Sequence, residues 1–253
     1  MLTAITRSIS PKMADCELTH LDRSPIDIAV AQQQHATYEK ALQHLGCKII
    51  RADAAPDLPD SVFVEDCCVV LDEIAIITNP GATSRKPEIV GVKKALQSFR
   101  PLMQISEPGM LDGGDVLVIG KEIWVGLSSR SNETGVEQLR TFAAPHGYSV
   151  KGVSVNGCLH LKSAVTQVGE RTVLLNPDWI DRTVFTDFEI IETHPEEPGA
   201  ANALLVNERV IFPVDFPRTA LRLTEAGVEL FFVDNSEVIK AEGGVTCCSV
   251  IFN

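Results

Sequence analysis

At 253 residues the chain can bury a substantial core, as one large domain or two small ones, and a 45% hydrophobic content is that of an ordinary globular protein. With 34 acidic against 22 basic side chains, its formal charge of -12 supplies no basic face for nucleic acid or an anionic membrane, though it suits a small cationic ligand. No apolar run approaches bilayer-spanning length, residues 1–7 lack the basic and then apolar sections of a signal peptide, and the seven cysteines are odd in number with no CxxC pair. A cytoplasmic protein with reduced thiols is therefore expected, rather than a disulfide scaffold or a zinc ribbon.

In chain order, a strand over 2–9 is followed by a polar loop with Asp15, Asp22 and Pro25 as turn formers. Helical spacing of Ile28, Ala31, His35, Tyr38, Leu42 and Leu45 predicts a helix over 27–45, stopped by Gly46, with a strand at 47–52 after it. A hairpin of 61–70 with 74–78 comes next, then a Gly/Ser/Arg loop, a helix over 87–99 and a strand at 102–105. The same order returns as hairpin 110–119 with 122–127, helix 133–142 and strand 148–155. It returns again as hairpin 159–167 with 172–176, a weak helix over 179–188 and strand 190–193. The last complete copy is hairpin 202–207 with 210–214, helix 217–226 and strand 228–233.

Hairpins that start roughly 40 to 50 residues apart signal a repeat architecture. Here the repeated unit is strand-strand-helix-strand. Four units are complete, and a fifth forms only if the β-branched C-terminal strand near Cys247 pairs with the N-terminal strand, with 27–45 as its helix. That pairing hides two sheet edges. The expectation is an α/β fold, a ring of five units in one domain over 1–253, around a polar-lined channel.

If each hairpin sets its first strand near the axis, unusual residues there are informative. Glu65 and Asp66 interrupt an apolar run, where an ionised carboxylate needs a positive partner; they are either a strand-end turn or a cation-binding pair. In Leu111-Asp112-Gly113-Gly114-Asp115 the bland reading is a turn, and for His160 it is a packed or surface histidine. Cys247 and Cys248 follow a glycine pair; on a strand they would point to opposite faces, one into a site and one into packing, or both could be small buried hydrophobes. The ring changes the balance by bringing these positions to one channel. A thiol needs a base and the base an orienting carboxylate, so Cys247, His160 and Asp112 make a nucleophilic set, and the remaining carboxylates describe a cationic substrate.

Seven stretches, in order, carry a resemblance: Pro59-Asp60-Ser61-Val62-Phe63-Val64-Glu65-Asp66, Pro80-Gly81-Ala82-Thr83-Ser84-Arg85, Leu111-Asp112-Gly113-Gly114-Asp115-Val116-Leu117, Gly126-Leu127-Ser128-Ser129-Arg130-Ser131-Asn132, Leu159-His160-Leu161-Lys162-Ser163, Ala201-Asn202 and Thr246-Cys247-Cys248-Ser249-Val250. Nearly the whole chain resembles the dimethylarginine dimethylaminohydrolases of the amidinotransferase, or pentein, superfamily. The resemblance implies a five-bladed α/β propeller, Cys247 as nucleophile, His160 as acid and base, and Asp112 as its partner. It further implies that Glu65 and Asp66 grip the guanidinium, that Arg85 and Arg130 hold the α-carboxylate, and that Asp60 and a mobile lid near Leu18 contact the amino-acid end. No cofactor or metal is implied, and a homo-oligomer is left open.

Ala241-Glu242 departs from the family pattern, which has a β-branched residue and an aspartate there. The smaller Ala241 would widen the pocket at the guanidinium end. Arginine or monomethylarginine as substrate, a non-catalytic pentein and a redox pair of thiols are the alternatives; adjacent cysteines bridge poorly, which disfavours the last.

Overall fold

Four times along the chain an antiparallel hairpin is followed by a strand that runs parallel to the hairpin's second, and the two chain ends build a fifth sheet on the same plan, in a computed structural model that describes residues 1–253. One sheet joins both ends of the chain: β1 (Thr3–Thr6) pairs parallel with β2 (Lys48–Arg51) and antiparallel with the last strand, with Ala4 opposite Ile251. Three further sheets are β3 (Cys68–Val70) to β5 (Leu102–Gln104) with β4 (Ala75–Ile77), β6 (Val116–Ile119) to β8 (Ser149–Ser154) with β7 (Glu122–Leu127), and β9 (Val165–Gly169) to β11 (Glu189–Glu192) with β10 (Thr172–Leu175). The fifth is β12 (Leu204–Val206), β13 (Arg209–Pro213) and β14 (Glu229–Val233), and β15 (Val250–Phe252) completes the sheet of β1. These are the blades of the expected five-bladed α/β propeller.

Helices bridge the second and third strands of four blades: α1 (Ile28–His44), α2 (Ile89–Leu96), α3 (Glu133–Ala143) and α4 (Pro217–Glu225). Asp27 caps α1 by accepting from the N–H groups of Ala29 and Val30, and Gly46 ends it at a φ of 92° that a side chain would resist. In the remaining blade the helix expected over 179–188 shrinks to a 3₁₀ turn, Arg182–Phe185. The Trp179 carbonyl accepts from the N–H of Asn156, and the N–H of Thr183 is taken by the Asp181 carboxylate. The bond that would start an α-helix there has lost both partners.

Apolar side chains fill the seams between neighbouring blades. One cluster, for instance, sets Ile5 and Phe252 of the first blade against Ala75 and Ile77 of the next under Val92 and Leu96 of α2. Another sets Val168 and Leu174 against Val210 and Phe212 under Leu223 of α4. The first strands of the hairpins face a central cavity of about 430 Å³. It is less polar than expected, because Val69, Val118, Leu205 and Ile251 line it beside Glu65 and Lys162. No helix is long and apolar enough to cross a membrane.

Candidate active site

Immediately before the first strand of each blade the chain makes one tight turn: Val64–Cys67, Gly113–Asp115, Leu161–Ala164, Pro198–Ala201 and residues 245–248. Glu65 and Asp66, and likewise Cys247 and Cys248, therefore lie in turns rather than in the strands their apolar neighbours suggested. The reason is physical: a polar group that must face a site at the end of a channel cannot also obey the in-out alternation of a strand.

The five turns are bonded to one another in a closed circuit. The Glu65 N–H donates to the Cys247 carbonyl (3.2 Å), the Gly114 N–H to Asp66 Oδ1 (2.9 Å), and the Leu161 N–H to Asp115 Oδ1 (2.9 Å). Asn202 Nδ2 donates to the Lys162 carbonyl and to Thr246 Oγ1, both at 3.0 Å, and Asn202 Oδ1 accepts from the Thr246 N–H. Gly114 must be a glycine for this circuit to close, since a Cβ there would sit 2.6 Å from His160 Nδ1 and 2.7 Å from Asp66 Oδ1.

One pocket brings together Cys247, His160, Asp66, Asp60, Arg85, Arg130 and Ala241. Behind it, fully buried Asp112 accepts from His160 Nε2 at 3.1 Å, and its other oxygen accepts from the Gly81 N–H at 2.9 Å. The imidazole is thereby anchored through Nε2, with Nδ1 3.8 Å from Asp66 Oδ1. Burial alone would lower the imidazole's pKa, but Asp66, Asp115 and Asp112 around it reverse that and bring it to about 9. Asp66 moves the other way: burial would raise it, yet His160 and the Arg85 guanidinium, bonded at 2.6 Å, hold it at about 2. Burial pushes the Cys247 thiol to about 12, with Glu65 and Asp66 adding to the rise. The resting site is thus a thiol beside an imidazolium and a carboxylate.

Donor atoms of Asp66, Asp112 and His160 lie within 4.8 Å of one another, close enough to surround a cation, but each is already committed to Arg85, Gly81 or its neighbour in the set. Cys248 turns away from the pocket into the core, so one thiol faces the site and the other packs, as the sequence suggested. All seven cysteines are free.

Two expected ligand-gripping side chains are occupied otherwise. Glu65 is held by Lys162 (2.5 Å) and Thr246 Oγ1 (2.7 Å) and lines the central cavity, so its carboxylate stands between that cavity and the pocket. Arg85 spends its nitrogens on Asp66, Glu88 and the carbonyls of Asp60 and Phe63. Arg130 differs: Nη2 donates to Thr19 Oγ1 at 3.1 Å, while buried Nη1 has no partner. Asp60 accepts from the Glu17 N–H, and burial raises its carboxyl pKa. Leu18 does not reach the pocket; its side chain is half-buried against the cluster that contains Phe63 and Ala241.

Sequence reasoning gave no role to Asp115 or Lys162, and to Glu242 only a place for its backbone at the guanidinium end. Asp115 accepts from Ser128 Oγ (2.6 Å) and Ser131 Oγ (2.7 Å) as well as from Leu161, and so aligns the Arg130 loop with the turn after His160. The second aspartate of the Asp-Gly-Gly-Asp cluster was the available signal. The side chains of Lys162 and Glu242 act across the ring, and no local pattern marks their partners.

Residues 20–197 match the family model described as N,N dimethylarginine dimethylhydrolase, eukaryotic. The chain is 42% identical over 249 residues to the N(G),N(G)-dimethylarginine dimethylaminohydrolase of Streptomyces coelicolor, covering 98% of this chain and 95% of that protein. It is 37% identical over 228 residues to the protein of that name in Pseudomonas aeruginosa, covering 89% and 90%. The structure of a mutant of the Pseudomonas aeruginosa enzyme complexed with citrulline superimposes with a TM-score of 0.95 over 100% of both chains, at 35% identity.

Proposed function

The chain belongs to the dimethylarginine dimethylaminohydrolase family, and from that premise we propose how its own residues convert Nω,Nω-dimethylarginine, and its monomethyl analogue, to citrulline and the corresponding amine. One juxtaposition supports the assignment most directly: a thiol, an imidazole anchored by a buried carboxylate, and an ionised carboxylate meet in a single pocket beside an arginine with an unpartnered nitrogen.

The guanidinium enters toward Asp66, which stays ionised at any physiological pH. Glu65 adds negative charge from behind and, through its N–H, holds the Cys247 backbone in register. At the other end Arg130 receives the α-carboxylate on its free Nη1, with Arg85 completing the positive field, and Asp60 with the backbone near Leu18 meets the α-amino group.

A thiol at about 12 is a poor nucleophile at neutral pH, so the arriving cation has a second task. Its charge beside Sγ favours the thiolate, and the proton leaves for solvent. The thiolate attacks the central guanidinium carbon. His160, already protonated, gives its proton to the dimethylamine nitrogen as that C–N bond breaks, leaving a thiouronium on Cys247. Neutral His160 then takes a proton from water as it adds to the same carbon. Collapse breaks the C–S bond, and citrulline departs with the thiol regenerated. Thiol and imidazole together meet the chemical demands, so we assign no cofactor or metal, and we place the enzyme in the cytoplasm acting on free amino acids.

Citrulline release should be measured in parallel from dimethylarginine, monomethylarginine and arginine. Turnover of the methylated substrates that vanishes in Cys247→Ser is the expected result. No citrulline from any of the three would overturn the assignment. Arginine as the best substrate would show that the space beside Ala241 serves a different guanidino group.

A further inference from the structure

We infer that Glu242 is the latch of the strap formed by residues 16–23, and that this one carboxylate sets how tightly the substrate is enclosed. The inference deepens the proposed function and rests on it for the identity of the substrate, but not for the latch itself. Glu242 Oε1 accepts from three successive strap amides, those of Thr19 (3.0 Å), His20 (2.5 Å) and Leu21 (2.6 Å), and Oε2 also accepts from Thr19 at 3.0 Å. Three N–H groups converging on one anion form a strong donor site for a carboxylate.

The backbone beneath the latch is specialised. Glu242 has a φ of 57°, one of two non-glycine residues in the left-handed region, and the turn is secured by bonds from the Glu242 N–H to Ile239 and from the Gly243 N–H to Val238. A non-glycine residue in this conformation is uncommon and points to a constraint on what its side chain must reach.

Position explains what the latch controls. Glu242 lines the catalytic pocket and also a second cavity of about 500 Å³ at its mouth, where His20 and Leu21 of the strap face Trp179 and Phe216. It is part of the wall between the two. With the strap held down, the catalytic pocket has only about 10 Å³ of free space, roughly the room for one water.

Competing ties show why this residue rather than another governs closure. One further tie, from Ser84 Oγ to Glu17 Oε1 at 2.6 Å, is a single exposed bond; Thr19 is also held by Arg130, and the Glu17 N–H by Asp60, but Arg130 and Asp60 are the groups assigned to the substrate's amino-acid end. An entering substrate competes for Arg130 and Asp60. The bonds to Glu242 involve no group the substrate needs, so they persist when it binds.

Hydrogen exchange tests the latch in unliganded protein, comparing the wild type with Glu242→Gln and Glu242→Asp. The amides of 19–21 should exchange roughly tenfold faster in the glutamine variant, the size of one lost charge-assisted bond, while the blade strands keep their rates. The aspartate variant, which keeps the charge on a shorter arm, should recover part of that protection. Unaltered strap exchange in Glu242→Gln with intact strands would overturn the latch. In the citrulline assay KM should rise roughly tenfold in Glu242→Gln with a much smaller change in kcat, the pattern of lost binding that is uniform between ground and transition states. Strap amides freed with KM unmoved would overturn the link to substrate enclosure. Because exchange is read without substrate, a failed latch and a failed activity give separate results.

Discussion

The floor and the roof of the catalytic pocket are built on opposite plans. Beneath it, five turns from five blades are joined in a circuit of hydrogen bonds, and Asp112, Asp115, Asp66 and His160 are buried within it. Above it, the strap of residues 16–23 carries exposed side chains, and its links to the rest of the protein run mostly to single groups: Glu242, Arg130, Asp60 and Ser84. Buried charges in a closed network tolerate little displacement, because each lost partner leaves an uncompensated group. Exposed bonds to a strap are individually weak and open locally. The lesson is a division of labour in which the floor holds the reacting groups in place and the roof regulates access.

The largest test of that contrast is Asp112→Asn. The amide preserves size but reverses what His160 Nε2 faces, and kcat should fall roughly a hundred- to ten-thousandfold. KM should change little, since Asp112 lies behind the pocket and does not line it. Steady-state kinetics would separate the two; a loss confined to KM would mean that Asp112 shapes substrate binding rather than the imidazole.

A second test concerns charge in the floor. His160, whose ordinary value is 6.5, is held at about 9, so its pairs stabilise the fold fully below pH 6.5 and that contribution is lost as pH rises through about 9. Asp66, ordinarily 3.8 and held at about 2, contributes above pH 3.8 and loses its contribution as pH falls through about 2. Thermal denaturation between pH 6.5 and 9 should show a declining Tm that is flatter in His160→Asn. Parallel curves for the two proteins would refute the network as a source of stability.

The smallest effect lies at the join between α1 and the turn that carries Cys247. Tyr38 Oη donates to the Val245 carbonyl at 2.7 Å and is bonded to Ser249 Oγ at 2.7 Å, so it brackets Cys247 from both sides. Tyr38→Phe should cost about 1 kcal/mol in urea denaturation. The strap should be unaffected, and faster exchange of its amides in this variant would break the separation of floor from roof.

Much of the architecture was legible because it depends on spacing. Hairpins at a regular interval, the Asp27 cap and the Gly46 stop define the blades and α1, and the pairing of the terminal strands follows from the need to hide two edges. That Cys247 and His160 share one pocket, with Asp112 bonded behind, was legible for a related reason: the repeat says which residues stand at equivalent places. What the sequence concealed is where strand gives way to turn. Val64 and Cys67 are as apolar as the strand they precede, so the 3₁₀ turn between them carries no local signature. Lys162 on Glu65 and Glu242 on the strap were hidden more deeply, because each bond joins residues far apart in the chain. The missing α-helix over 179–188 shows the converse. Its composition permitted a helix, and two hydrogen bonds to outside partners removed it.

The sheet that unites the chain's first and last strands has a consequence for how the molecule acquires its function. Contacts such as Ala4 with Ile251 close a very long loop, and such contacts form late because their entropic cost comes before their reward. Cys247 stands three residues before that closing strand. Four blades can pair within themselves while Cys247, the proposed nucleophile, is still unplaced, so a partly folded chain presents carboxylates and an imidazole without that thiol. On that order of events, the proposed active site is complete only once the two terminal strands have paired.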